Sequence, residues 1–127
     1  MKDEGGRMKD ERKDLKPRVK SFALRVIKLY VALPKSTEAQ VIGKQLLRSG
    51  TSVGAHYYEA QRAKSIPDFI SKVEGGLQEL EESGYWLELL TEAEIVHPDR
   101  LKLLREEAEE LTAILVAIVK HAKEKIR

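Results

Sequence analysis

An all-α fold, an antiparallel up-down four-helix bundle, is what this sequence predicts, and three observations predict it. Apolar residues recur at threes and fours through four separate stretches, the spacing that lines one face of a helix turning about 100° per residue. Proline or capping residues open each stretch, and the connections between them are short. No segment alternates apolar and polar residues with period two, so strands find no support. The 127 residues suit one domain, and a domain of this size buries about two thirds of the surface its unfolded chain exposes.

Residues 1–16 are nearly all charged or glycine, with Leu15 the only clear core candidate besides the methionines. They read as a disordered charged tail, leaving residues 17–127 for the bundle. Met1-Lys2-Asp3-Glu4 is echoed by Met8-Lys9-Asp10-Glu11, so Met8 is an alternative start. The first helix is expected after Pro17, a residue suited to a first turn, with Val19, Phe22, Val26, Leu29, Tyr30 and Leu33 inward and Pro34 as its stop. Thr37-Glu38-Ala39-Gln40 has the form of a capping box that opens the second helix, expected to run to about Ala63. Ser65-Ile66-Pro67-Asp68 opens the third, whose inner stripe reads Phe69, Val73, Gly76, Leu80, Gly84 and Leu87. His97-Pro98-Asp99 opens the fourth, where Leu101, Leu104, Ala108, Leu111, Leu115, Ile118 and Ala122 keep the spacing to the end.

The second helix is the most informative. Ile42, Leu46, Val53, Tyr57 and Ala60 share one face, and Lys44, Arg48, Thr51, Ala55 and Arg62 lie opposite. Gly43, Gly50 and Gly54 fall on one flank between them. Glycine in a helix interior costs about 1 kcal/mol relative to alanine, so three on a flank predict a neighbouring helix at unusually close range. A stripe of cations opposite a tightly packed flank predicts a rigid basic surface.

Composition excludes several functions. Without cysteine there is no disulfide, thiolate metal site or thiol nucleophile. The longest apolar run, Ala113–Val119, is seven residues, far below the ~20 of a membrane span. The charged beginning has no signal-like apolar core, and a soluble cytoplasmic protein is the expectation. The net charge of +2 conceals a partition: residues 18–32 carry Arg18, Lys20, Arg25 and Lys28 with no acid, whereas residues 66–92 hold seven carboxylates against Lys72. Such asymmetry either orients the chain on a polyanion or draws neighbouring helices together.

Candidate sites follow from these patterns. Arg18, Arg25, Lys44, Arg48 and Arg62 are the candidate phosphate contacts, since arginine grips phosphate bidentately and Tyr58 beside Arg62 offers a base-stacking face. Tyr85, Trp86 and Leu89 on the third helix and Val116 on the fourth lie off the inner stripes, and apolar surface all round a helix predicts cover by another copy. His56 and Glu59 stand one turn apart on the second helix, as do Glu79 and Glu82 on the third. A di-iron bundle needs Glu-x-x-His on two helices with two further glutamates, which this chain lacks. These groups therefore read, with Ser52, as a hydrogen-bonded network fixing helix register or a subunit contact, and no metal, cofactor or small-molecule substrate is expected. Ser52 and Thr51 have no arranged base, and no phosphate-binding loop is present, so no enzyme is expected either.

The stretch Leu33-Pro34-Lys35-Ser36, residues 43–60 with Arg48-Ser49-Gly50-Thr51-Ser52-Val53-Gly54, then Asp68-Phe69-Ile70-Ser71-Lys72 and Glu79-Leu80-Glu81-Glu82-Ser83-Gly84-Tyr85-Trp86 together carry a resemblance. The chain is similar, over residues 19 to about 120, to the bacterial four-helix-bundle proteins encoded by intervening sequences of 23S ribosomal RNA genes. More distantly it resembles the accessory proteins of diversity-generating retroelements. The resemblance implies a four-helix bundle assembled into a homopentameric ring. The retroelement relatives bind nucleic acid and a reverse transcriptase through a basic surface, whereas the intervening-sequence branch has no established activity and no assigned catalytic residue. The matching positions here are Arg48, Ser52, Glu59, Asp68, Glu79, Glu82, Tyr85 and Trp86. His56 stands where the family more often has asparagine, and Gly84 where arginine is common.

The combined expectation is a non-enzymatic homo-oligomer that binds nucleic acid, RNA favoured over DNA. The alternative is a protein-interaction scaffold working through Tyr85, Trp86 and Leu89, with no nucleic-acid role.

Overall fold

The computed structural model describes the backbone of residues 4–126 and the side chains of residues 15–126. Among the described residues there are four helices and no strand: α1 Glu4–Ala32, α2 Thr37–Ala60, α3 Ile66–Glu92 and α4 Pro98–Glu124. α2 packs on α1 and on α3, α3 packs on α4, and α1 meets α4 only thinly. One apolar core joins all four, with Phe22, Leu46, Leu80, Leu87, Leu111 and Leu115 among its fully buried side chains.

The expected boundary at residue 17 needs correction. Residues 1–3 of the expected tail lie outside the described residues, but the helix runs from Glu4 through Pro17 without a break. Leu15 is fully buried in step with Val19, Phe22 and Val26, so the apolar stripe begins before the proline rather than after it. Pro17 lacks the N–H of a helix interior, and tertiary burial on both sides of it overrides that local penalty.

α1 and α2 approach at two glycines. A Cβ on Gly43 would stand 2.5 Å from Leu33 Cδ1 and 2.9 Å from Tyr30 Cδ1, and one on Gly50 would stand 2.9 Å from Val26 Cγ2. At Gly54 the nearest atom, Val19 Cγ2, is 3.5 Å away, an ordinary contact. The glycine flank is thus a close-packing device at two positions and leaves room at the third. Between α2 and α3 the shared apolar core also encloses a polar link: the Ser49 and Ser83 hydroxyls lie 2.8 Å apart, both fully buried.

Helix ends differ in detail from the sequence patterns. α2 stops at Ala60 rather than Ala63, because Arg62 and Ala63 donate to carbonyls three residues back and tighten the last turn. The expected capping box at Thr37 does not form. Ser36 is the cap residue and makes no side-chain cap bond; Gln40 instead donates to Pro34 O at 2.8 Å and accepts from Tyr30 Oη–H at 2.9 Å. The α3 start does close as expected, with Asp68 N–H donating to Ser65 Oγ at 3.1 Å and Lys64 N–H to Asp68 Oδ2 at 3.2 Å. α3 ends with Glu94 at φ 59°, where Glu94 N–H donates to Thr91 O and Ile95 N–H to Leu90 O. That is a Schellman closure with a non-glycine residue in the left-handed position. On the inner stripe of α3, Ser83 and Ile70 are buried where Gly84 and Phe69 were expected; a Cβ at Gly84 would meet nothing within 4 Å.

Candidate nucleic-acid interface

The structure sorts the five candidate cations onto three faces. Arg18 turns toward α4, where its Nε donates to Glu107 Oε2 at 3.1 Å and its Nη2 to Glu107 Oε1 at 2.7 Å. Glu110 adds a longer contact at 3.4 Å. This bidentate geometry is the strong form of an arginine–carboxylate pair, and it closes the thin seam between α1 and α4. Arg25, seven residues on and half-buried, belongs to the same side of α1.

Arg48 turns the other way, toward α3. Its Nη1 donates to Glu79 Oε2 at 3.1 Å and its Nη2 to Glu82 Oε2. The indole N–H of Trp86 donates to that same Glu82 oxygen at 3.0 Å. The Trp86 donor first, and Arg48 second, hold the Glu82 carboxyl below the usual carboxylate range, while Glu82 and then Glu79 push the guanidinium still further toward its charged form. With two carboxylates on one guanidinium the cluster carries a net negative charge. Arg48 is half-exposed, yet an incoming phosphate meets that surplus.

Lys44 stays on the outer stripe of α2, whereas Arg62, expected on that stripe, stands in the turn just past the helix end; both are exposed. Among the described residues, no ion pair engages Arg25, Lys44 or Arg62. Between them along the helix runs a shallow groove of about 290 Å³ shared with α1, lined by Lys20 and Ala23 on one side and Thr51, Ala55 and Tyr58 on the other. The Lys16 ammonium sits 5.1 Å from the Tyr58 ring centroid, a cation–π contact. Lys16 and Lys20 are basic members of this face that sequence reasoning missed. They were legible in principle: α1 has no acid from Leu15 to Ala32, but only the α1–α2 pairing shows that they neighbour the α2 stripe.

The expected polar network is divided. Glu79 and Glu82 join Arg48 and Trp86 rather than His56. Ser52 Oγ donates within its own helix to Arg48 O at 2.7 Å, and Glu59 pairs with Lys72 at 3.8 Å. His56 Nδ1 is buried with no hydrogen-bond partner, against Gly75, where a Cβ would come within 2.8 Å of it. The inter-helix link is made by Ser49 and Ser83 instead. Ser83 Oγ donates to Glu79 O at 2.9 Å, which leaves its lone pair to accept from Ser49 Oγ–H. The signal was available: each serine stands at an inner-stripe position, with Leu46 and Val53 around one and Leu80 and Leu87 around the other.

Of the four expected interface residues, Tyr85 and Val116 are exposed, 53% and 50%. Trp86 and Leu89 are half-buried; Trp86 packs on the core and edge-on to Tyr85, with centroids 5.0 Å apart. Among the described residues no group of three or more His, Cys, Asp or Glu side chains is placed to hold a metal ion, and no helix is long and apolar enough to cross a membrane.

No curated protein matches the chain. A crystal structure of a protein of unknown function from the S23 ribosomal protein family of Bacteroides thetaiotaomicron VPI-5482 is similar, with a TM-score of 0.81 and 37% identity over 86% of this chain and 97% of that one. The family described as 23S rRNA-intervening sequence protein matches residues 13–117. With four helices in place and most of its length matched, the chain belongs to the family of 23S rRNA-intervening sequence proteins.

Proposed function

We propose that this protein is a non-catalytic, up-down antiparallel four-helix bundle that self-associates into a ring and binds nucleic acid, RNA in preference to DNA, in the cytoplasm. The observation that carries the reading is the state of the cations on the outer α2 face. Lys44 and Arg62 are exposed and unpaired among the described residues, and Lys20 and Tyr58 lie on the groove between them. Arg18 and Arg48 are spoken for by carboxylates, so they hold helices together rather than contact phosphate. Up-down order is supported by the pairings of α2: residues 43, 50 and 54 meet residues 30, 26 and 19 of α1, and residues 49 and 56 meet 83 and 75 of α3. Self-association is supported by Tyr85 and Val116, large apolar groups left in water. A ring multiplies weak phosphate contacts by holding several basic faces on one strand.

A mobility-shift titration with single-stranded RNA at two salt concentrations tests the reading. Each phosphate that is no longer neutralised should flatten the plot of log affinity against log salt by about 0.7. Lys44→Ala with Arg62→Ala is expected to weaken binding at least tenfold at low salt and to flatten that slope, whereas Arg48→Ala changes it little. Absence of binding at low salt, or an unchanged slope in the double variant, refutes it.

A further inference from the structure

Two helix faces far apart on the chain carry matching seams. Lys20, Leu24, Ile27 and Val31 follow at intervals of four, three and four along α1, and all four are exposed, Leu24 to 56% and Val31 to 68%. Lys28 stands beside them, and α1 has no carboxylate between Leu15 and Ala32. On α3, Glu74, Gln78, Glu81, Tyr85, Glu88 and Glu92 follow at alternating fours and threes, every one exposed. Alternating intervals of this kind are what let the side chains of two helices interlock. One seam is aliphatic with cations at its edge; the other is acidic around one tyrosine.

Two further features mark the α3 seam as incomplete. Gly84 leaves an open groove of about 450 Å³ between α3 and α4, over Leu80 and Ala108 and bordered by Glu81, Tyr85 and Glu88. Glu88 also crowds Glu92, sharing a hydrogen bond that holds the Glu92 carboxyl above its usual range, with Arg105 only partly offsetting the charge. Negative charge is in surplus there, and α1 has the positive charge to meet it.

We propose that the outer seam of α1 in one copy docks on the outer seam of α3 in a second copy, placing aliphatic side chains against Tyr85 and the Gly84 groove and Lys28 against Glu81 and Glu88, while Lys20 at the end of the seam stays with the α1–α2 groove. The inference rests on the self-association proposed above and names its two surfaces. Because the surfaces differ, each copy offers one of each, and the contact propagates from copy to copy until it closes. Lys44 and Arg62 lie outside the seam and stay available.

Two variants test the pairing. Leu24→Ser, Ile27→Ser and Val31→Ser remove the aliphatic seam, and Glu81→Lys with Glu88→Lys reverse the acidic one. By size-exclusion chromatography with light scattering, the unaltered chain should be a multimer and each variant alone a monomer. Mixed one to one, they should form a dimer and nothing larger, since one intact α1 seam meets one intact α3 seam while the two altered seams cannot pair. That rescue also reports that both variants fold. If the unaltered chain is monomeric, the assembly reading falls with this one. If it is a multimer and either variant keeps its mass, or the mixture stays monomeric, only the pairing of these two seams is overturned.

Discussion

Against α1, helix α2 sets glycines under valine and leucine side chains; against α3, it sets serine on serine and arginine on two carboxylates. The first seam is short-range and non-directional, governed by how near two backbones come. The second is directional, since the Ser49–Ser83–Glu79 chain closes at one axial position only. One helix thus gets its spacing from one neighbour and its register from the other.

The sharpest break in that comparison is Gly50→Ala. Its methyl would fall 2.9 Å from Val26 Cγ2, on a β-branched side chain that is fully buried. Overpacking of this kind costs about 1–3 kcal/mol and the gain in helix propensity is about 1, so a net loss of up to about 2 kcal/mol is expected in urea unfolding. Trimming the opposing side chain with Val26→Ala in the same molecule should reduce the penalty of Gly50→Ala, a coupling a double-mutant cycle measures.

Next comes the polar seam. Ser83→Ala leaves the Ser49 hydroxyl without its buried partner, an expected loss of about 1–2 kcal/mol. Replacing both serines by alanine should lose less than the sum of the single changes, because no orphaned hydroxyl remains. Additive losses would show that the two hydroxyls are not coupled.

Two substitutions should stabilise. Gly54→Ala has room on the same flank where Gly50 has none, and should gain up to about 1 kcal/mol from helix propensity. Glu94→Gly should gain about 1 kcal/mol by relieving the left-handed backbone at the end of α3. Opposite signs at residues 50 and 54, four apart on one flank, would confirm that distance to α1 decides the outcome.

The smallest effect is the pH response of the Arg48 cluster. Glu82 has a folded pKa below its unfolded one, so its contribution is present above the ordinary glutamate value and is lost as pH falls through the lower folded value. Glu82→Gln should flatten the acid side of the stability curve, a change followed by thermal melts at stepped pH. It is modest because Arg48 is half in water.

Helix number, the three start positions near Thr37, Ser65 and His97, and nearly the whole α4 stripe were legible because apolar periodicity is local information. The miss at residue 15 shows its limit: a run of charge before Leu15 has the composition of a tail, yet one leucine in phase with Val19 extends the core across a proline. Gly84 fits the core by its spacing, and spacing cannot distinguish a glycine pressed by a neighbour from one facing open space. The site was less legible than the fold. Whether a cation is free depends on what the adjacent helix holds opposite it, and Arg48 and Arg18 have carboxylates there while Lys44 and Arg62 do not.

The thin seam between α1 and α4 carries a kinetic consequence. Every extensive contact joins helices consecutive along the chain, so little loop entropy must be given up before contacts form, and the chain should fold in milliseconds or faster by stopped-flow. The α2–α3 hairpin, with the broadest packing and a directional lock, is the natural nucleus, and α1 swings in afterwards with Arg18 as its final clasp. Perturbing Ser83 should then slow refolding, whereas Arg18→Ala should chiefly hasten unfolding.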